Sequence, residues 1–524
     1  METLIRKVVV VGGGSAGFMA ALSLKKKIPR LEVVVIRSKE IGIIGVGEGS
    51  AIPFTYFIHH FLGLEIAEFV RAVKASWKLG TYFIWGPRKR FVFPFGRTLS
   101  GKLDGLSKAV GYYCSDDMEN ASLSAALMAG DKIFERGANG GPILHMDFAY
   151  HIENASFAEF LESLAVRLGV KVLTDTVRHV HQDEQGVRGL DLESGQAETA
   201  DLYIDCSGFG SLLLGQTLKE PFVSYQDTLI CDRAIVGGWA RTDEPVRPYT
   251  TAETMNSGWC WQIEHPDRIN RGYVYSSAFI SDDDAQRELI EKNPKITGPT
   301  RVVRFASGRY ERSWVKNVVA IGNSSGFVEP LEATSLSIIA TRGMLLAELL
   351  LESDLLVTPA AARFFNSLTA RAWDSVRKFL ATHYRFNTRL DTPFWRHCRA
   401  HTNLAGAEPI VEWYQQMGPS PYASAGLVDS QDIFGIDGFL VMLLGQSVPH
   451  ESKFQPSEQE LHKWNAAREQ YKARAANAMS VGEVLAMVTR GHAQSAPQRD
   501  QFVVPMAALG SPGLSFLGKV PGGV

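Results

Sequence analysis

The sequence predicts an α/β chain of the Rossmann type, and three observations predict it. The apolar run Lys7-Val8-Val9-Val10-Val11 meets a glycine turn, Gly12-Gly13-Gly14-Ser15-Ala16-Gly17, that opens into a helix-like stretch from Phe18 to Leu24. A second apolar run, Leu31 to Ile36, follows at the distance of a βαβ crossover. A third, Asn317 to Gly322, leads through a Gly- and Ser-containing turn to a long helical stretch from Ser335 to Leu351. Near-continuous apolar runs suit strands of a parallel sheet, whose two faces are both covered by helices.

In the first turn Gly12, Gly14 and Gly17 satisfy G-x-G-x-x-G between strand and helix. The first allows the turn, the second lets a pyrophosphate approach the backbone, and the third packs helix on strand, with Ser15 and Ala16 at the helix N-terminus facing the anion. At the end of the second run, where an acid ordinarily holds the ribose hydroxyls, the chain reads Ile36-Arg37-Ser38-Lys39-Glu40. Arg37 in the acidic slot leaves two readings: an NADP-like 2′-phosphate, or ribose contacts taken over by Ser38, Lys39 or Glu40.

Further along, the spacing is helical from Glu159 to Leu168, and Val170 to Leu173 and Ala200 to Asp205 read as strands around a polar hairpin at Asp183-Glu184-Gln185-Gly186. Asp201-Leu202-Tyr203-Ile204-Asp205-Cys206-Ser207-Gly208 and Ala320-Ile321-Gly322-Asn323-Ser324-Ser325-Gly326 repeat the strand-to-glycine pattern. Three such turns in one chain favour FAD over a loosely held nicotinamide. The organisation expected is an FAD-binding Rossmann-type fold of the flavin-monooxygenase kind over 1–358. A mainly helical substrate region follows over 359–490, then a flexible tail rich in Gly, Pro, Ser and Ala over 491–524.

Composition narrows the class. At roughly 100–200 residues per domain, 524 residues allow about three domains, or one large cofactor fold that takes most of the chain. With 45% hydrophobic and 21% charged residues there is material for a large core, and a net charge of -2 offers no basic excess for nucleic acid. Five scattered cysteines without C-x-x-C spacing argue against zinc and disulfide frameworks, and no metal is expected. No apolar run approaches a membrane span and the first strand begins at Lys7, so a cytoplasmic protein without membrane or signal segments is expected.

Five more motifs stand in order: Gly45-Val46-Gly47-Glu48-Gly49-Ser50, Trp77-Lys78-Leu79-Gly80, Gly258-Trp259-Cys260-Trp261-Gln262-Ile263, Gly326-Phe327-Val328-Glu329-Pro330-Leu331-Glu332-Ala333-Thr334 and Asp391-Thr392-Pro393-Phe394-Trp395-Arg396. Together they resemble the flavin-dependent halogenases of the tryptophan/indole type, from the N-terminus to about residue 400. The resemblance implies a two-component enzyme that uses FADH2, O2 and chloride or bromide, with FADH2 delivered by a separate NAD(P)H flavin reductase. It admits a homodimer. It also implies cofactor contacts at Gly49, Ser50 and Val177, and at Gly322, Asn323, Phe327 and Leu336.

Lys78 lies between apolar neighbours, just ahead of Tyr82-Phe83-Ile84-Trp85. A lysine is ordinarily a snorkelling surface group. A desolvated one polarises a small electrophile by hydrogen bonding or, with its pKa depressed, becomes nucleophilic. The resemblance makes Lys78 the residue that engages hypohalous acid, by a hydrogen bond or as a haloamine. Glu332 precedes a helix start, where a carboxylate suits the dipole; the resemblance makes it the catalytic base that removes the ring proton. Halide is implied at the backbone N–H groups of Thr334 and Ser335. Family members commonly carry Ser after the glutamate and Gly after the threonine, where this chain has Ala333 and Ser335.

Trp259 and Trp261 alternate on a strand and share a face; the resemblance makes them the wall that keeps flavin from substrate. Phe91, Phe93 and Phe95 also alternate, and with Pro53 and Phe434 they are the implied indole contacts. The tyrosine pair and glutamate by which tryptophan-specific members grip the amino acid have no match between Leu404 and Val448. A zwitterion without charged partners is costly to bury, so free indole or a neutral indole is expected over tryptophan. The rivals are an FAD monooxygenase that hydroxylates its substrate, and a non-catalytic flavin-binding protein.

Overall fold

The valine run becomes the middle of a mostly parallel sheet, and the chain reverses direction around it. The structure, a computed structural model, describes residues 4–38, 40, 47–96, 103, 105–144, 147–429 and 432–490. Lys39 and the tail expected over 491–524 lie outside the described residues.

β1 (Lys7–Val11), α1 (Ser15–Lys27) and β2 (Glu32–Arg37) form the βαβ unit the glycine turn predicts. There follow α2 (Ile52–Tyr56), β3 (Ser76–Lys78), β4 (Gly80–Ile84), β5 (Phe91–Pro94) and β6 (Ala149–Ile152). Next come α3 (Asn154–Arg167), β7 (Lys171–Thr174) and β8 (Leu202–Asp205). α3 starts five residues before the apolar spacing suggests, because Glu153 caps it by accepting from the N–H groups of Ala155 and Ser156. The strands β9 (Arg233–Ala240), β10 (Thr250–Met255), β11 (Gly258–Glu264), β12 (Arg268–Tyr275) and β13 (Arg301–Arg304) come next, then β14 (Trp314–Val315), β15 (Val318–Ala320) and α4 (Ser335–Glu352). The remainder is helical, with α5 (Pro359–Phe386), α6 (Gly435–Gly445), α7 (Glu458–Ala476) and α8 (Val481–Thr489) among its helices.

The first sheet has the order β7-β2-β1-β8-β15-β14 and is parallel except for its last pair. From β1 the chain goes to β2 on one side and later to β8 on the other, so a crevice opens beyond the carboxyl end of β1, the place where such sheets bind ligands. The second sheet, β13-β9-β12-β11-β10-β4-β5, is antiparallel except between β10 and β4. One hydrophobic cluster joins its Phe83, Trp85 and Trp259 to Trp373, Phe379 and Phe439 of α5 and α6. That core is continuous across residues 358 and 359. Helices after residue 457 return to the first half: α7 packs on the helix Leu123–Ala129 and α8 on the helix Ile66–Val73.

Among the described residues no helix is long and apolar enough to cross a membrane, and no cluster of His, Cys, Asp or Glu could hold a metal ion. The five cysteines are free thiols.

Candidate active site

A cavity of about 900 Å³ lies at the carboxyl ends of β1, β2 and β8, lined at one end by Gly12, Gly14, Ser15 and Ala16. A Cβ on Gly12, whose φ is +119°, would sit 2.2 Å from the Cys206 carbonyl oxygen, and one on Gly17 would sit 1.8 Å from that of Gly12. These two glycines are required for the turn and the helix contact. Among the described residues Gly14 meets nothing within 4 Å, so the backbone stands open to them there. No side chain caps α1 and no acid sits in its first turn, which leaves its first N–H groups for an anion. This cradle fits a dinucleotide pyrophosphate.

At the adenosine end the Arg37 guanidinium is engaged elsewhere, donating to Glu162 at 2.7 Å and to Thr174 Oγ1 at 3.4 Å. It is no free receptor for a 2′-phosphate. Parallel pairing of β2 with β7 sets Thr174 beside Arg37, and the next residue, Asp175, donates its N–H to the Arg37 carbonyl at 2.9 Å and lines the cavity. An acid thus stands at the cavity from the neighbouring strand, its Oδ1 accepting the N–H groups of Thr176 at 2.8 Å and Ser194 at 3.3 Å. Ser38 shares a 2.8 Å hydrogen bond with Thr176, and both line the cavity with Val177.

The other end is lined by Gly49, Trp261, Asn323, Phe327, Ser335 and Leu336. Gly322 backs it, at φ +79°, where a Cβ would press on Ala16. Ser50 is turned away: its hydroxyl donates to the Tyr150 carbonyl at 3.1 Å and accepts the Tyr150 N–H at 2.9 Å. Pairing with β6 therefore occupies this hydroxyl. Glu48 also lines the cavity, and burial pushes its carboxyl up to about 7, against a hydrogen bond from Asn154.

Lys78 ends β3, wholly buried, and among the described residues its Nζ has no hydrogen-bond partner. A Cβ built on Gly49 would lie 3.0 Å from this Nζ, 3.2 Å from Thr250 Oγ1 and 3.3 Å from Ala333 Cβ, so the ammonium stands behind these three cavity-lining residues, beside the start of α4. Burial pushes Lys78 down to about 8, with the nearby Glu332 charge opposing that shift. His151, also close to it, is held well below the ordinary imidazole range by burial and then by the Lys78 charge.

Glu332 closes the turn Pro330–Glu332, and Ala333, at φ +55°, swings the chain into α4. Its carboxylate is buried against His383 of α5, with Oε1 and Nε2 2.7 Å apart. Sequence reading passes over His383 because a histidine on a helix of apolar spacing reads as core, and its partner is 51 residues away. Thr334 is buried at the N-cap of α4 and offers no side-chain cap, which leaves the first-turn N–H groups without intrahelical partners.

The two tryptophans of β11 stand 5.9 Å apart; Trp261 faces the cavity and Trp259 is fully buried beside it. The three phenylalanines separate. Phe91 stacks on Phe83 at 5.1 Å and covers Gly445, so its ring belongs to the core. Phe93 meets Phe379 at 5.8 Å, and Phe95 places its ring 5.3 Å from Lys78 Nζ. Phe434 stacks on the same Phe379 at 3.9 Å, while Pro53 is buried in α2.

Residues 7–460 match the family model for tryptophan halogenase. The chain belongs to the tryptophan halogenase family. KtzQ of Kutzneria sp. (strain 744), a tryptophan 7-halogenase, is 34% identical over 79% of this chain and 82% of its own length. The crystal structure of MibH, a lathipeptide tryptophan 5-halogenase, superposes with a TM-score of 0.83 at 39% identity, covering 93% of this chain and 94% of MibH. BrvH, a flavin-dependent halogenase from Brevundimonas sp. BAL3, gives 0.81 at 30% identity, covering 92% and 99%. This halogenase is accordingly an oxidoreductase that uses FADH2 from a separate reductase together with halide. The names of KtzQ and MibH give tryptophan as the compound halogenated, and the expectation of free indole finds no support among these relatives.

Proposed function

We propose that this halogenase places chlorine or bromine on the indole ring of a tryptophan, preferring a tryptophan residue within a peptide to the free amino acid. The observation that carries the chemistry is the meeting of Lys78, Glu332 and the start of α4 just behind Gly49, Thr250 and Ala333, which line the flavin cavity.

FAD would lie along the cavity from Asp175 and Val177, past Gly14, to Trp261 and Leu336; reduced, it supplies hypohalous acid from O2 and halide. The N–H groups of Thr334 and Ser335 would hold the halide, a role that main-chain donors keep although Ala333 replaces a hydroxyl. Trp259 and Trp261 keep the organic substrate away from the flavin. Lys78 receives the electrophile and presents it to the indole. Glu332 takes the proton from the halogenated ring. Phe93, Phe95 and Phe434 offer stacking surface for the indole.

The preference for a peptide follows from what the C-terminal region lacks. Lys378, whose ammonium lies 5.5 Å from the Phe439 ring, is tied to Asp432 at 2.7 Å, and the tyrosine pair and glutamate that would grip a zwitterion have no match in the sequence there. Peptide amides replace the ammonium and carboxylate, and an amide costs less to bury than a charge. N-acetyl-tryptophan amide should therefore be halogenated with a higher kcat/KM than L-tryptophan when the two compete at equal concentration with FAD, a reductase and bromide. Predominant halogenated free tryptophan would overturn this preference. Hydroxylated product formed without halide would instead return the enzyme to the monooxygenase class.

A second expectation concerns the adenosine end. Asp175→Ala should raise the Kd for FAD by about 10- to 100-fold, the loss of hydrogen bonds to a charged group. Affinity for FMN, which has no adenosine, should not change. Fluorescence titration with both flavins measures this, and an unchanged FAD affinity would remove Asp175 from the site.

A further inference from the structure

We propose that His383 is the proton-relay partner of Glu332: it holds the carboxylate in place as a base and carries the second proton of the pair while the ring proton leaves. The inference rests on the reading of Glu332 as the base, and extends that role to a residue on α5.

The argument starts from which atoms can donate. His383 Nδ1 lies 3.0 Å from the Phe379 carbonyl oxygen, one helical turn back. A carbonyl oxygen only accepts, so Nδ1 carries a hydrogen. Nε2 faces Glu332 Oε1 at 2.7 Å. Two bare acceptors would repel at that distance, so this contact holds a proton, either as imidazolium with carboxylate or as imidazole with carboxylic acid. The imidazole is held in its orientation. Phe83, Trp85 and Phe379 surround it with centroids 5.5, 6.3 and 4.8 Å away, and the Trp85 indole N–H donates to the His383 carbonyl at 2.9 Å.

Glu332 Oε1 is thus committed, and among the described residues no hydrogen bond occupies Oε2. Oε2 is the atom left to meet the substrate. When the ring C–H bond breaks, its electron pair restores the aromatic ring and the proton passes to Oε2. The proton of the contact then resides on Nε2, whichever atom held it before. The pair ends as carboxylic acid and imidazolium, and returns one proton to water as the product is exchanged. No oxidant or reductant is required. Without the imidazole, the buried carboxylate would lose the one hydrogen-bonded partner it has among the described residues, and with it the contact that fixes its orientation.

The test compares N-acetyl-tryptophan amide with its ring-deuterated form in the wild type and in His383→Gln, His383→Asn and Glu332→Gln, each with FAD, reductase and bromide. In the wild type, loss of the ring proton should not limit the rate and no isotope effect is expected. His383→Gln and His383→Asn should lower kcat about 10²-fold with little change in KM, the size of a lost acid–base function. A primary isotope effect should then appear, because proton removal has become slow. Hypohalous acid trapped by monochlorodimedone should stay at the wild-type level, since those steps precede the proton transfer. A slower variant without an isotope effect would mean that His383 only supports the structure, and an unchanged rate would mean that it does nothing. Either overturns the proposal. If neither variant binds FAD, rescue of His383→Ala by added imidazole decides, and absence of rescue counts against the relay. Failure of the underlying reading looks different: Glu332→Gln would then run at the wild-type rate.

Discussion

Lys78→Ala is expected to abolish halogenation while FAD binding and the release of hypohalous acid persist. The side chain is fully buried with no hydrogen-bond partner at Nζ among the described residues, a costly arrangement for an ammonium that serves structure alone. Gly49, Thr250 and Ala333 stand around that point with the Phe95 ring 5.3 Å from Nζ, and none of them carries an amine. The flavin end is lined by other residues, so the steps that make the electrophile should proceed and the electrophile should escape. Mass spectrometry of the product together with a trap for hypohalous acid separates the two outcomes. Halogenated product from the alanine variant would remove Lys78 from the mechanism.

The same residue gives the pH dependence its sign. Burial lowers the Lys78 pKa to about 8, so the free amine gains population as pH rises through that value. If the amine attacks the halogen, the N–X bond forms, the O–X bond breaks, and the departing oxygen leaves as water with the amine proton. kcat/KM for halogenation is therefore expected to rise through about pH 8 and level off above it. A profile that falls through the same value would show that the ammonium acts, as a hydrogen-bond donor to the intact acid.

Glu332→Gln should slow halogenation by about 10²- to 10⁴-fold without stopping it. The amide keeps the shape of the side chain and a hydrogen-bonding group opposite His383 Nε2, so folding and the entry into α4 should survive. It cannot accept the ring proton, and the cationic ring intermediate must wait for water or another base. Single-turnover rates with preformed FADH2 measure the step directly. A wild-type rate would reduce Glu332 to a residue that favours the start of a helix.

Much of this site is legible in the sequence because its signals are local. Gly12, Gly14 and Gly17 sit between a valine strand and a helix; Gly12 and Gly17 have separate steric reasons to be glycine, and Gly14 leaves the backbone open. Lys78 and Glu332 are embedded in short motifs. Where the expectation and the structure part, the cause is a contact between distant segments. Ser50 stands in the right motif, yet its hydroxyl is consumed by Tyr150, a hundred residues on. Phe91 has the alternation of Phe93 and Phe95, but β4 lies alongside and takes its ring into the core through Phe83.

What the sequence by itself determined is therefore the βαβ unit, the three glycine turns, the buried strand of the two tryptophans, and the lysine and glutamate with which the electrophile would meet its base. Period, steric tolerance and short motifs carry that information within a dozen residues. Only the tertiary structure decided that Asp175 stands where β2 lacks its acid, because that follows from the parallel register of β2 with β7. Only it decided that the Glu332 carboxylate ends on His383, because that depends on how α5 packs against the entry to α4. Register and helix packing are settled by the fit of whole surfaces, which no local pattern records.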